Sequence, residues 1–343
     1  MFFLQNVKVS VIIINAKGIQ RLEKCLKSLE QTNYPNFEVI VVDCLTPNFS
    51  MWMKKHFPRT KAIHYDVDIG PSASHNIEKQ FIDPRSKYLA FLDNDAYVTE
   101  IWLTELLKIM EKDEKIGMAQ AKVVLLRDKQ RLDHGGMAID ALGTWYTTRN
   151  IPTQELDRVF EIFVASSCAC IVRRGVFYEA GGFDPDYFIY DDDTDFSFRV
   201  NLLGYKIVYV PPAIVFHEGE TARSLDPRKL YHGAKNRMCT MLKNYELKNA
   251  LWRLSLYLSL TFLLVIVLAL ARKTAEAKAM FRSNVYPVVN IKQILIKRAM
   301  IQHKRRVEDS ELFQKGFIMN NIRPTILDLM TKLQLLRNKE VIV

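Results

Sequence analysis

Over its first 126 residues the chain alternates short unbroken apolar runs with stretches whose apolar positions recur every three or four residues. VSVIIIN (9–15), FEVIVVD (37–43), KAIHYD (61–66), KYLAFLDND (87–95) and IGMAQAKVVLL (116–126) are the runs. Such runs mark strands covered on both faces. Between the first two, GIQRLEKCLKSLEQT sets Ile19, Leu22, Cys25, Leu26 and Leu29 on one helical stripe. Helices are also predicted near 72–81 and 100–112. This rhythm predicts an α/β fold of three layers (α/β/α) around a mostly parallel central sheet.

From 127 to 245 the pattern is mixed. FVASSCACIVRR (163–174) reads as a strand, and VFYEAGGF as a short helix closed by Gly181. DFSFRVNLLG reads as a helix ending at Gly204, and YKIVYV as a strand stopped by Pro211 and Pro212. Leu254–Ala271 then runs eighteen residues without a charge. That is the lower limit for crossing a bilayer core of ~30 Å. The alternatives are a buried core helix, a single span, or an in-plane or re-entrant helix. The division expected is 1–245 as the main domain, with halves 1–126 and 127–245, and 246–343 as a helical membrane-associating region.

Charge sharpens the choice. The chain of 343 residues carries a net +10. Residues 272–343 hold fifteen Lys and Arg against six Asp and Glu, so nearly all the excess lies after the apolar segment. A basic tail next to an apolar helix points to an anionic membrane surface rather than nucleic acid. Basic residues on both flanks favour an in-plane helix at the cytoplasmic face over a span that would export the tail. Five scattered cysteines with no CxxC pair predict neither a disulfide framework nor a zinc site, and point to a reducing compartment. The opening MFFLQNVKVSVIIIN lacks a charged leader and a small-residue cleavage site, so it reads as a first strand.

Two carboxylate groups carry the candidate chemistry. FLDND places Asp93 and Asp95 where a buried strand ends, the edge at which open α/β sheets bind ligands. Carboxylates so spaced can hold Mg²⁺ or Mn²⁺ together with phosphate oxygens; capping of the next helix is the other reading. YDDDTDFSFR holds Asp191, Asp192, Asp193 and Asp195 in one turn. Acids before a helix gain ~0.3–1 kcal/mol each from its dipole, but four exceed what a cap needs. A calcium loop is excluded, because Phe196 and Leu202 stand where glycine and glutamate are required. His217 follows a strand-like run and is a candidate ligand for metal or phosphate. Lys235, Asn236 and Arg237 are either phosphate contacts or a solvated helix face. DIGPSASHN (68–76) could allow close backbone approach to a ligand. No phosphate-binding P-loop, GxSxG elbow or HExxH occurs.

Taken in order, VSVIIINAKG, NYPNFEVIVVD, FLDND and the long stretch from SSCACIVRR to AIVFH resemble the inverting family-2 glycosyltransferases of the GT-A fold, most closely the rhamnosyltransferase-like branch. The match runs from about Val9 to Tyr245. The resemblance implies a nucleotide-sugar donor, Mn²⁺ or Mg²⁺, and transfer to a hydroxyl acceptor. It puts Asn15, Asp43, Asp93 and Asn94 at the nucleotide sugar, and Asp95, Asp93 and His217 at the metal. Asp193 falls on the catalytic base. Asp192, Asp195 and Arg199 complete the acceptor side, with Asp192 replacing a glutamate. Two departures stand out: His75 replaces an arginine, and Cys44–Asn48 replace the usual base-contacting loop. With the membrane segment, a lipid-linked glycan or surface-polysaccharide precursor is the expected acceptor. The rival readings are an aspartate-based phosphotransferase with Asp93 as nucleophile, and an inactive GT-A membrane scaffold.

Overall fold

The computed structural model describes residues 6–16, 18–76, 79–134, 138–146, 149–219 and 225–337. Met1–Gln5, read with the first strand, and residues 77–78 of the predicted helix at 72–81 lie outside these. The first half runs β1 (Val9–Ala16), α1 (Gln20–Glu30), β2 (Phe37–Cys44), α2 (Phe49–His56), β3 (Lys61–Tyr65), α3 (Pro71–Ser74), β4 (Tyr88–Asp93), β5 (Ala96–Val98), α4 (Trp102–Met110) and β6 (Ile116–Leu125). There follow β7 (Asp128–His134), β8 (Ala138–Ile139), β9 (Trp145–Tyr146), β10 (Phe160–Glu161), β11 (Ala169–Arg173), α5 (Arg174–Ala180), α6 (Asp192–Leu202) and β12 (Lys206–His217). Among the described residues six helices follow: α7 (Pro227–Asn244), α8 (Leu247–Leu270), α9 (Thr274–Val289), α10 (Ile291–Lys304), α11 (Asp309–Gln314) and α12 (Arg323–Arg337).

The sheet order is β10-β12-β6-β11-β4-β1-β2-β3, with β5 beside β12 and β7 beside β6. Pairings among β4, β1, β2 and β3 are parallel, as is β6 with β12. β11 runs antiparallel between β4 and β6, so it begins where β4 ends. Both faces are covered. Val9, Val11 and Ile13 pack with Leu22, Phe49, Trp102 and Leu106 of α1, α2 and α4. Ile12, Ile40 and Val42 turn to the other face, with Phe177 and Phe196 of α5 and α6. Burying each such side chain contributes ~1.5–3 kcal/mol, which is why the apolar runs are unbroken.

Four expectations change. The predicted helix at 72–81 is one turn, Pro71–Ser74, followed after the undescribed pair by a 3₁₀ turn at Lys79–Phe81. Gly70, at φ +78°, sits against the carbonyl and ring of Phe188, where a Cβ would come within 2.6–2.8 Å. The close approach anticipated in this loop is therefore to the chain itself. The strand at 163–174 is confined to Ala169–Arg173. Finally, Pro211 and Pro212 do not stop β12. Val210 pairs with Ala121 and Ile214 with Lys122, neighbours on β6. The three intervening residues bulge out, so neither proline must donate a ladder hydrogen bond.

The C-terminal helices share a core with residues 139–245, in which Phe163, Phe198, Met238 and Met241 meet Tyr257, Leu264, Leu268 and Phe317. α8 extends the expected apolar segment to a helix of 24 residues, with an eighteen-residue window of mean hydropathy 2.2, long and apolar enough to cross a membrane. One stripe, Ala250, Arg253, Tyr257, Thr261, Leu264 and Leu268, is buried. Phe262, Leu263, Ile266 and Leu270 stand exposed on the opposite side.

Candidate active site

Parallel register gathers the first group of side chains. Ile14 pairs with Asp93, and Asn15 with Asp43, so the ends of β4, β1 and β2 lie level. Asn94 donates to Asn15 Oδ1 (2.7 Å), and Asn15 donates to Asp43 (2.5 Å). Asp43 is fully buried and also meets Thr46 Oγ1 (2.6 Å) and His64 Nδ1 (2.7 Å). These contacts make a polar floor, and they leave Asp43 well supplied with partners.

The bulge in β12 brings in the histidine. It sets His217 opposite Ala96 of β5, and hence beside Asp95. His217 Nε2 lies 3.1 Å from Asp95 Oδ1 and 4.0 Å from Asp93 Oδ2. Its Nδ1 lies 2.6 Å from Asp133 Oδ2. Cys168, the residue before β11, accepts from the Asp93 backbone N–H at its carbonyl, 3.0 Å away. Asp93, Cys168 and His217 each present a ligand atom within 4.8 Å of the others. Burial pushes the Cys168 thiol up to about 12, so it is protonated and a poor partner for a hard cation. Burial likewise lifts Asp93 to about 6, although 40% of its side chain stays accessible.

Burial also opposes charge on Asp95 and His217, but each stabilises the other. Asp95 lies below its usual range through His217 and Arg21. His217 lies well above its own, through the carboxylates of Asp133 and Asp95. The group thus calls for positive charge at Nε2. Two carboxylates and an imidazole whose far nitrogen meets a buried carboxylate fit a divalent ion that accepts oxygen and nitrogen ligands. Asp133 and Cys168 were not singled out by spacing; only the sheet brings them here.

The acid cluster stands at the start of α6, near enough for the charge of Asp93 to act on Asp193. Asp192 accepts from Ser72 (2.9 Å), in the turn after Gly70. Asp193 accepts from the Thr194 backbone (2.8 Å). Burial, then the charges of Asp192 and Asp191, hold Asp193 well above the carboxylate range, and Asp93 adds to the rise. Burial lifts Asp192 to about 6. Asp191 is buried rather than surface charge, in a left-handed conformation, with Arg237 at 3.8 Å. It occupies the N-cap position of α6 but makes no side-chain capping bond.

Asp195 and Arg199 stand apart from the acid cluster. Asp195 is fully buried among Arg199 (2.8 Å), Lys243 (3.0 Å) and Asn244 (2.9 Å). Arg199 also donates to the carbonyls of Ala180 and Gly182. Such a network locks α6 against α5 and α7. His75, where an arginine was expected, is buried on Phe183, with its titration lowered to about 3 by desolvation. Lys235 and Asn236 are neither phosphate contacts nor a solvated face, because both are buried against carbonyls of residues 186–190.

A family model described as "Glycosyltransferase like family 2" matches residues 6–238. Among curated proteins, the chain is 26% identical over 233 residues to the O-antigen biosynthesis protein RfbC of Myxococcus xanthus, covering 64% of this chain and 18% of that protein. It is 34% identical over 91 residues to an N-acetylglucosaminyl-diphospho-decaprenol L-rhamnosyltransferase of Mycobacterium tuberculosis, covering 26% of this chain and 29% of that one. The match therefore spans under a third of either relative. Among solved structures, GalNAc-T7 with UDP, GalNAc and Mn²⁺ superimposes at TM-score 0.55, with 17% identity over 69% of this chain and 48% of that one. The mannosyltransferase PcManGT of Pyrobaculum calidifontis, with GDP-Man and Mn²⁺, does so at 0.50, with 14% identity over 87% and 85%. Both likenesses speak for the GT-A fold.

Proposed function

Because the chain belongs to the glycosyltransferase-like family 2, we propose that it moves a sugar from a nucleotide-sugar donor to a hydroxyl of a lipid-linked glycan or surface-polysaccharide precursor, inverting the anomeric centre in one displacement. One observation carries this reading. Carboxylates from two distant segments, Asp93–Asp95 with His217 and Asp192–Asp193, converge closely enough that the charge of Asp93 bears on Asp193. The family places this chain among sugar transferases, which leaves an Asp93 phosphotransferase without support.

In this reading Asn15, Asp43 and Asn94 hold the nucleotide end of the donor. Asp95, Asp93 and His217 hold Mn²⁺ or Mg²⁺, which when bound supplies positive charge against the departing nucleoside diphosphate. Asp193 takes the proton from the acceptor hydroxyl as its oxygen attacks the anomeric carbon opposite the leaving group. A positioned base contributes ~10²–10⁴-fold. Its raised proton affinity suits a base working near neutral pH. Asp192, held by Ser72, keeps like charge beside it. Asp195 and Arg199 fix α6 beneath both.

The acceptor class rests on α8. Arg237 lies 3.8 Å from Asp191 and stacks over Tyr257 at 5.7 Å. The acid cluster is thus two side chains away from an apolar helix whose outer face is bare. A helix of this kind beside a basic segment suits the cytoplasmic face of an anionic membrane, lying in plane. The name of the mycobacterial relative describes a lipid-linked acceptor. The test is a panel of nucleotide sugars with Mn²⁺ or Mg²⁺ and membrane extract, read as nucleoside diphosphate release. No turnover of any donor would favour the inactive scaffold.

A further inference from the structure

A cavity of about 230 Å³ lies where the C-terminal ends of α5 and α6 meet α10. No carboxylate or histidine of the candidate active site lines it, so an occupant would not be a reacting group. Its wall is apolar: Ala180, Phe183, Leu202, Leu203, Met300 and Ile301. Around that wall stand Arg199, Lys243, Lys297 and Lys304, the first three paired with the carboxylates of Asp184, Asp186 and Asp195.

These cations are held in place. Lys243 is buried between Asp184 and Asp195. Lys297 reaches Asp184 and Asp186, and Lys304 donates to the carbonyl of Glu179. The mouth opens onto an apolar surface. Met300, at 61% exposure, belongs both to the cavity and to the outer face of α10, with Ile296 one turn earlier at 54%. The volume falls below the ~300–1,000 Å³ of pockets for drug-sized ligands, so it suits a slender chain.

We propose that this cavity takes one apolar chain of an anionic membrane phospholipid, with the phosphate at Lys304, as a non-reacting anchor. The inference rests on the reading of residues 246–343 as membrane-associated. An exposed apolar face supplies the approach, and Lys304, which meets a carbonyl and not a carboxylate, supplies the complement to an anionic headgroup. Burial of the chain supplies the rest, without any bond being made or broken.

The test titrates the full purified chain with dodecyl phosphate below its micelle concentration, read by calorimetry and native mass spectrometry. One molecule per chain is expected, tightening about fourfold per added methylene up to the length the cavity holds. Dodecyl maltoside should bind at least about tenfold more weakly, and inorganic phosphate not at all. Ile301→Trp and Leu203→Trp, which fill the space, should each lose about tenfold or more, and Lys304→Gln a smaller factor that shrinks with salt. Nucleotide-sugar hydrolysis and the melting temperature serve as controls and should hold in at least one filling variant. Equal binding to wild type and filling variants, or many molecules per chain without saturation, overturns the proposal. One-to-one binding without any nucleotide-sugar hydrolysis would remove the transferase reading and leave this one standing.

Discussion

His217 and Asp133 share a 2.6 Å contact between imidazole Nδ1 and carboxylate Oδ2, leaving Nε2 to face Asp95 and Asp93. Asp133 is itself buried and held by Arg149 at 2.8 Å. A carboxylate behind a ligating histidine fixes its tautomer and ring orientation, and its loss costs ~10–100-fold in metal affinity. Asp133→Asn should therefore weaken Mn²⁺ binding by about that factor. Electron paramagnetic resonance of free Mn²⁺ measures this directly. Unchanged affinity would assign Asp133 a packing role alone.

Asp193→Asn keeps the shape of the cluster and removes the proposed base. Sugar transfer should fall by ~10²–10⁴-fold, while the dissociation constant for the nucleotide sugar changes little. If transfer persists, the proton leaves by another group. If donor binding collapses too, Asp193 is structural.

The acid limb of the pH–rate profile should belong to the Asp192–Asp193 pair rather than to either residue. Burial and mutual repulsion raise both, so the limb should lie well above an ordinary carboxylate. Asp192→Asn removes a neighbouring charge and should move the limb toward lower pH. Stability carries the opposite sign. A carboxyl raised from 3.8 to about 6, as at Asp192, binds its proton more tightly in the folded state. That contribution is complete below pH 3.8 and is lost as pH rises through 6. Melting temperature should fall over that window in the wild type, and less in Asp192→Asn.

Asn236 Nδ2 faces the carbonyls of Tyr187, Ile189 and Tyr190 at 3.0, 2.8 and 2.7 Å. The loop it holds contains Phe188, Tyr190 and Asp191 at positive φ. Such residues cost ~1–3 kcal/mol each and persist only where the surroundings over-determine them. Asn236→Ala should destabilise the protein by ~1–3 kcal/mol, since buried carbonyls lose a donor. It should also lower kcat by displacing the acid cluster. Urea unfolding and single-turnover rates separate the two effects.

Membrane residence should depend on the bare face of α8. Leu263 and Ile266 are both exposed there. Burying each in a bilayer contributes ~1.5–3 kcal/mol, so Leu263→Glu with Ile266→Glu should cut flotation with anionic vesicles by more than about tenfold. High salt should weaken the wild type only partly, because the apolar part is not screened. Full release by salt alone would make the association electrostatic.

The parallel half of the fold is legible along the chain because strands covered on both faces must be apolar throughout, and the helices between them must carry a stripe. The same logic finds FLDND at a strand end. It fails at Pro211 and Pro212, where a bulge excuses the missing donors, and at α3, where one turn is fixed by packing against Phe188. Asp191 and Lys235 look like surface charges by type, yet both are buried against partners from other elements.

What the sequence determined by itself is which side chains are candidates for the chemistry: the two acid groups, the late histidine and the apolar helix with its basic neighbours. Only the tertiary structure decided how they are divided. It set Asp195 and Arg199 into a buried lock, put Asp133 behind His217 and brought Cys168 beside Asp93. The physical reason is that periodicity encodes which face a residue takes within its own element. Partners across antiparallel β11 and bulged β12 depend on register and sheet order, which no local pattern records.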